Sequence, residues 1–456
     1  MKNKEQQFQA ENQQFPLPFS LSPIVNKKIE ASYSGKDIST DGGALLLREM
    51  DQHVGLIDKL CECIDDERDQ RYIDHQLIQM LKQRTFQIAC GYEDGNDCNE
   101  LRSDSVFKLC AGKLPETDSD LASQSTMCRF ENSVSNSELY RIAKVFADVF
   151  IGSYQKEPGL IILDCDDTNN NTHGDQQLAL FNNYYGEYCY MPLHIYEGLS
   201  GKLITTILKP GRRSKNVDVF AILKRVIAHL RQHWKNTIII LRGDSHFCSH
   251  QYMDWSVNQP NTHFVTGLSG NQKLNELAKV TIESAQQAFE ANGTAQKRYT
   301  SFQYQAKSWE YPQRAIAKVE VSKKGTNLRY IVTDMQQYRA SHVYETGFCA
   351  RGNMELRIKE HKLYLKSDRS SCSNFQANQF RLFLHSAAYV LIHTLQKEVL
   401  GCTDYANATM KTIQLKILKT AAWVREMKTK IKIEFPMAFP YKLEQKMAFD
   451  ILCPSG

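Results

Sequence analysis

Asp166 and Asp244 each close an apolar run, Leu160-Ile161-Ile162-Leu163-Asp164-Cys165-Asp166 and Ile238-Ile239-Ile240-Leu241-Arg242-Gly243-Asp244. Far downstream, a segment opening at Phe348 carries Arg351, Glu355, Arg357, Lys359 and Lys362. Two strand-end aspartates and a glutamate flanked by cations form the residue set that two-metal phosphoryl transfer requires. Hard Mg²⁺ is held by a few carboxylates plus phosphate oxygens, and arginine and lysine hold the phosphates themselves. The chemistry this set points to is cutting and joining nucleic acid.

The downstream segment can be tested by helical geometry. At about 100° per residue, Arg351, Glu355, Ile358 and Lys362 fall at roughly 0°, 40°, −20° and 20°, with Phe348 near 60°. One helix face therefore carries them all. A solvated ion pair between Arg351 and Glu355 is the bland reading of such a face. The two strand-end aspartates upstream favour the functional one.

The elements that position these groups are legible over residues 155–270. Apolar strands are expected at 160–166, 190–196, 203–208, 237–243 and 263–268, with a helix near 217–233 whose Val217, Phe220, Ile222, Leu223, Val226, Ile227 and Leu230 share a face. Three strands, a helix, a strand, a helix and a strand fit a ribonuclease H-like mixed sheet within an α/β protein. In that sheet the first and fourth strands end side by side, so Asp166 and Asp244 would share one metal pair. Asp164 points to the same side of its strand as Asp166 and competes with it for the role.

Between 272 and 340 alternating segments around Lys323-Lys324-Gly325 predict a β-rich insertion containing a hairpin. The expected organisation is a polar flexible arm at 1–40, a helical region at 41–150, the first part of the core at 151–271, and the insertion at 272–340. The second part of the core, with the glutamate helix, follows at 341–400 and a basic segment at 401–456. Residues 374–396 read as an apolar helix under the sheet. Lys411, Lys416, Lys419, Arg425, Lys428, Lys430 and Lys432 then crowd a stretch whose one acid is Glu426. DNA-backbone contact and a solvated face are its two readings. In the helical region, Ala122 to Phe130 places hydroxyl residues and Arg129 at a helix start, which fits either phosphate contact or an ordinary cap.

Composition sets wider limits. The 456 residues are 42% hydrophobic, enough for a large core, and the net charge is only +5. That surplus is too small to argue a nucleic-acid partner without local clustering. No apolar run reaches the about 18 residues of a membrane span, and Met1 to Gln14 lacks the apolar core of a signal peptide, so a cytoplasmic protein is expected. The 13 cysteines contain no Cys-x-x-Cys pair and read as reduced thiols.

Further stretches carry a resemblance. Phe348, Arg351, Glu355 and Lys362 match a Tyr-x2-Arg-x3-Glu-x6-Lys signature with phenylalanine in the tyrosine position. Asp41-Gly42-Gly43, Ile88 to Asp94, Leu101-Arg102, Thr172-His173-Gly174, Tyr184-Tyr185, Cys189 to Leu193, Gly243-Asp244-Ser245 and Cys349 to Gly352 add to it. The chain resembles the DDE transposases of bacterial insertion sequences, DDE domain group 1, in the branch with a β insertion.

The resemblance implies catalytic, metal-binding roles for Asp166, Asp244 and Glu355, with Mg²⁺ as cofactor and Mn²⁺ as substitute. It implies transposon-end phosphate contacts for Arg351 and Lys362, with Phe348 beside them; Arg129 is expected on DNA from the helix start above, and residues 41–150 are expected to bind the ends. It further implies cut-and-paste DNA transposition: terminal inverted repeats on double-stranded DNA, a target DNA, a homodimer in the synaptic complex, and no membrane. Three other readings compete. Asp164-Cys165-Asp166-Asp167-Thr168 resembles the nucleophile motif of haloacid dehalogenase-like phosphatases; His246 and His250 suit a His/Asp metal hydrolase; and a DNA-binding transposase relic would lack activity.

Overall fold

The computed structural model describes residues 18–212 and 217–454. Residues 1–17, the first part of the expected arm, lie outside them. The rest of that arm is an exposed hairpin of strands Phe19–Ile24 and Lys27–Ala31. Strand Ile38–Ser39 then pairs with Ala422–Glu426 near the other end of the chain.

A mixed eight-stranded sheet occupies the centre. Its strands are β1 (Leu160–Asp167), β2 (Leu193–Glu197), β3 (Leu203–Ile207), β4 (Ile238–Gly243), β5 (Thr262–Leu268), β6 (Gln296–Tyr304), β7 (Gln313–Ser322) and β8 (Gly325–Thr333). The spatial order is β6-β7-β8-β5-β4-β1-β2-β3. β4 runs parallel to both β1 and β5, while β2 lies antiparallel between β1 and β3 and β8 returns antiparallel on β5. The expected hairpin has its turn at Lys323-Lys324, where Ser322 pairs with Gly325, whose φ of +99° favours glycine.

Residues 272–292, expected within the β-rich stretch, are helical: Gln272–Leu277 and Lys279–Asn292. The Ala-, Gln- and Glu-rich sequence of the longer helix and the left-handed Gly293 after it account for this. Its Ala285 packs on Val319 and Val321. Strands β6 to β8 are continuous with the central sheet.

The helices that frame this sheet and its site include α1 (Ala44–Val54), α2 (Leu77–Ala89), α3 (Gln124–Glu131), α4 (Asn136–Gly152), α5 (Val217–His233), α6 (Gly352–Lys359) and α7 (Phe375–Thr394). Alternation along β1 sorts its side chains. Ile161, Leu163 and Cys165 join Leu223, Ile227 and Leu230 of α5 in one core, and Asp164 and Asp166 face the opposite layer. The apolar α7 is buried along nearly its whole length between α2 and β3. Phe380 meets Phe130 at 5.2 Å and Phe383 stacks on Phe146 at 5.6 Å. Across that helical layer, buried Glu131 is shared by Arg84 at 3.1 Å and Arg381 at 3.2 Å. Among the described residues no helix is long and apolar enough to cross a membrane.

Candidate active site

The parallel register of β1 and β4 sets Asp164 beside Arg242 and Cys165 beside Gly243, so Asp166 and Asp244 follow at the ends of adjacent strands. Asp164 is not free. It is 1% exposed and held by Arg242 through two hydrogen bonds, from Nε to Oδ1 and, at 2.6 Å, from Nη2 to Oδ2. Arg242 also donates to the Gly347 carbonyl at 2.9 Å, which ties both strands to the segment leading into α6. Gly198 is required beside the pair, since a Cβ there would sit 2.6 Å from Arg242 Nη2. A carboxylate committed to a buried arginine fork is a poor nucleophile, which argues against the phosphatase reading.

Asp166 is different. Its side chain is 19% exposed, and Arg351 Nη1 reaches its Oδ2 at 3.0 Å. The other guanidinium nitrogen, Nη2, lies 3.7 Å from Glu355 Oε1, so Arg351 bridges the first aspartate and the glutamate. Burial raises the Asp166 carboxyl to about 6 against the opposing pull of Arg351, and the negative charge of Asp244 adds to the rise. Asp244 accepts the His246 backbone N–H at 2.8 Å and lies 2.9 Å from His246 Nδ1. Glu355 is largely open, with 69% of its side chain exposed.

The segment bearing these cations is not one regular helix. π-helical turns at Val343–Phe348 and Glu360–Tyr364 flank the α-helical stretch α6, with a 3₁₀ turn at Cys349–Arg351. Such turns alter the angular step per residue and recur at functional sites. They leave Arg351 aimed at the end of β1 and carry Lys362 to the residues just beyond it. Lys362 Nζ hydrogen-bonds the Asn169 carbonyl, the Asn169 Oδ1 at 3.2 Å and Thr168 Oγ1 at 3.4 Å. Burial lowers its pKa.

Asp166, Asp244, Glu355, Arg351 and Lys362 thus gather round the end of β1. Phe348 and Arg129 stand elsewhere. Phe348 is half-buried against Tyr344, ring centroids 5.8 Å apart, in the cluster of Val265, Ile316 and Ile331. Arg129 lies exposed on α3 and donates to Thr126 Oγ1 at 3.1 Å. The first backbone N–H of α3 is taken by Asn99 Oδ1 at 2.9 Å, while the Ser123 side chain at the N-cap makes no capping hydrogen bond.

His246 and His250 fall on separate short helices, Ser245–Phe247 and His250–Ser256, so the metal-hydrolase spacing is broken. His246 instead abuts Asp244, and Arg242 clamps Asp164. Both partnerships escaped the sequence reading. Arg242, an arginine at a buried strand position opposite an aspartate, was the available signal. The basic stretch after residue 410 is a solvated helix only in part: Lys411 and Lys416 lie exposed on the helical turns Met410–Ile413 and Gln414–Leu418, and the rest is not helical. Its Lys419 pairs with Asp41 at 2.7 Å, and Glu434 takes Arg425 from across the pair of strands Ala422–Glu426 and Ile431–Glu434 and Lys432 from its own strand.

A mixed sheet whose adjacent parallel strands end in aspartates, closed by a glutamate-bearing helix, defines a class of carboxylate-centred α/β proteins. The chain belongs to the transposase DDE domain group 1 family, whose model matches residues 21–455. A solved piggyBac transposase synaptic complex with hairpin DNA is similar at 11% sequence identity and a TM-score of 0.44, covering 84% of this chain and 83% of that one. No curated protein matches the chain in sequence.

Proposed function

We propose that the chain is a DNA transposase of a bacterial insertion sequence. It nicks double-stranded DNA at terminal inverted repeats and joins the freed 3′ ends to a target DNA, working in the cytoplasm on the nucleoid. The observation that carries this reading is the convergence of Asp166, Asp244 and Glu355 at the end of β1, with Arg351 between Asp166 and Glu355. The strand order β3-β2-β1-β4-β5, with β1, β4 and β5 parallel, supports a ribonuclease H-like core extended by β6 to β8. The helical region 41–150 would bind the ends, and two protomers would bring two ends together.

Asp166, Asp244 and Glu355 would hold Mg²⁺, or Mn²⁺ in its place. The donor set fits. All three offer hard carboxylate oxygens, and Asp166 and Asp244 close adjacent parallel strands, the paired placement a divalent cation uses. A divalent cation held there would supply neutralisation of phosphate charge and acidification of the attacking oxygen. Arg351 and Lys362 hold the non-bridging phosphate oxygens and fix the scissile group in line. In nicking, a water oxygen bonds to phosphorus and gives up its proton as the bond to the 3′ oxygen breaks and that oxygen leaves as a 3′-hydroxyl; in joining, that hydroxyl oxygen loses its proton and bonds to a target phosphorus as the bond to the target strand's own 3′ oxygen breaks and a target 3′-hydroxyl leaves.

The test is strand cleavage of duplexes bearing the element's ends with Mg²⁺ or Mn²⁺. Asp244→Asn and Glu355→Gln should each abolish metal-dependent 3′-hydroxyl ends, a loss of at least about 10³-fold, while still binding DNA. Binding without cleavage by the unaltered chain would favour a relic or a missing partner. Hydrolysis of small phosphate esters lost in Asp164→Asn would instead restore the phosphatase reading.

A further inference from the structure

At the far end of the sheet, α4 and α5 meet near their C-termini, and Asp148 of α4 faces His229 and His233 of α5. His229 Nε2 lies 2.6 Å from Asp148 Oδ1, and the two imidazole centroids are 5.5 Å apart. One ligand atom from each of the three lies within 4.8 Å of the others. Histidines four residues apart on a helix share a face, so one ion can reach both. Two imidazoles and a carboxylate give three protein ligands and leave the fourth position of a tetrahedral ion open. Zn²⁺ and its neighbours accept that mixed nitrogen and oxygen set, whereas Mg²⁺ prefers oxygen alone.

The scaffold under the three groups is rigid. Trp234, next to His233, packs edge-on against Phe150 at 5.6 Å and Tyr154 at 5.3 Å, and Phe150 and Trp234 are both buried. Solvent access is graded: the His229 side chain is 13% exposed and Asp148 44%, while His233 is open. The inner ligand is thus held and the outer one admits the ion. The position also separates this cluster from the carboxylates. α4 leads into β1 at Leu160 and α5 leads into β4 at Ile238, whereas Asp166 and Asp244 stand six residues further along, about 20 Å in extended chain.

We propose that Asp148, His229 and His233 form a transition-metal site of Zn²⁺ type, distinct from the catalytic carboxylates, that staples together the two helices feeding the aspartate strands. The site makes their docking, and so the alignment of β1 with β4, dependent on metal. The test uses the full chain carrying Asp244→Asn, so that the outcome does not depend on the proposed catalytic centre, titrated with Co²⁺ and Zn²⁺ in excess Mg²⁺.

The expected result is one Co²⁺ per chain with the visible absorption of a four-coordinate ion, partial quenching of tryptophan fluorescence, and displacement by Zn²⁺. The thermal midpoint should rise with Zn²⁺ and not with further Mg²⁺. His233→Ala, at an exposed position, should lower Co²⁺ affinity at least about tenfold and remove the thermal shift, with an unchanged circular dichroism spectrum. Asp148→Ala should behave alike. Absence of micromolar Co²⁺ or Zn²⁺ binding by the parent chain would overturn the proposal. So would binding undiminished in both variants, or near-ultraviolet thiolate bands that assign the ion to cysteines.

Discussion

Arg242 and Asp164 show how one buried ion pair decides which of two neighbouring aspartates is available for chemistry. Both are 1% exposed, so removal of one partner strands a charge in the core. Arg242→Met should therefore cost about 3–5 kcal/mol in chemical denaturation, whereas Asp164→Leu with Arg242→Met should recover most of the loss. Equal losses in the single and double variants would mean that the Arg242 bond to Gly347, rather than the pair, carries the stability. Asp51 gives a second test at this scale. It is 3% exposed, accepts the Ile57 N–H at 3.0 Å, and is raised to about 6 by burial, above an unfolded value of about 3.9. A folded pKa above the unfolded one means that this carboxyl's contribution is complete below about pH 4 and is lost as pH rises through about 6. Asp51→Asn keeps the acceptor and removes the charge, so it should gain about 1–3 kcal/mol at pH 7.5 and nothing at pH 4. Urea midpoints across that range measure the difference, and a gain independent of pH would contradict the assignment.

Between elements, Asp41-Gly42-Gly43 has a role that its sequence alone does not disclose. Gly42 N–H donates to the Thr420 carbonyl at 2.7 Å and Gly43 N–H to Leu418 at 3.1 Å, docking the start of α1 on the π-helical turn Gln414–Leu418 and the residues after it. A Cβ on Gly43 would lie 2.1 Å from the Ile417 carbonyl oxygen, backbone that cannot swing aside. Gly43→Ala should cost about 3 kcal/mol, and hydrogen exchange should quicken first in strands Ile38–Ser39 and Ala422–Glu426. Uniform exchange across the chain would show that this joint is not a separate unit. Sequence periodicity conveys some elements and not others. Leu160 to Asp166 and Ile238 to Gly243 read as strands because each is a short apolar run, and their pairing followed from the order of elements. The π-helical turns around Arg351 and Lys362 leave no comparable trace, since they change hydrogen-bond spacing without changing residue type. The Arg242 clamp and the metal-ligand geometry of Asp148 with His229 depend on partners 78 and 81 residues apart. Lys419 likewise reads as a DNA contact until its partner Asp41, far upstream, is known.

For the whole molecule, the question is where a surplus of only five positive charges meets a polyanion. Internal pairing engages Lys419, Arg425 and Lys432 of the basic C-terminal set, leaving Lys411 and Lys416 exposed on the helical turns before them. Lys428 and Lys430 remain exposed on the turn between strands Ala422–Glu426 and Ile431–Glu434, with no ion pair among the described residues. If DNA runs over this turn, each lysine contacts one phosphate and releases its condensed counterions on binding. The plot of log K against log salt for an inverted-repeat duplex should then become shallower by about 0.9 for each of Lys428→Gln and Lys430→Gln. Cleavage at low salt and saturating protein should be unchanged, because neither residue reaches the carboxylates. Lys419→Gln should do the reverse, lowering the thermal midpoint by removing the Asp41 partner while leaving the salt slope intact. A slope altered by Lys419→Gln but not by the turn lysines would place the DNA path away from this sheet, and the surplus charge at work would then have to be that of Arg351, Lys362 and the helices beneath them.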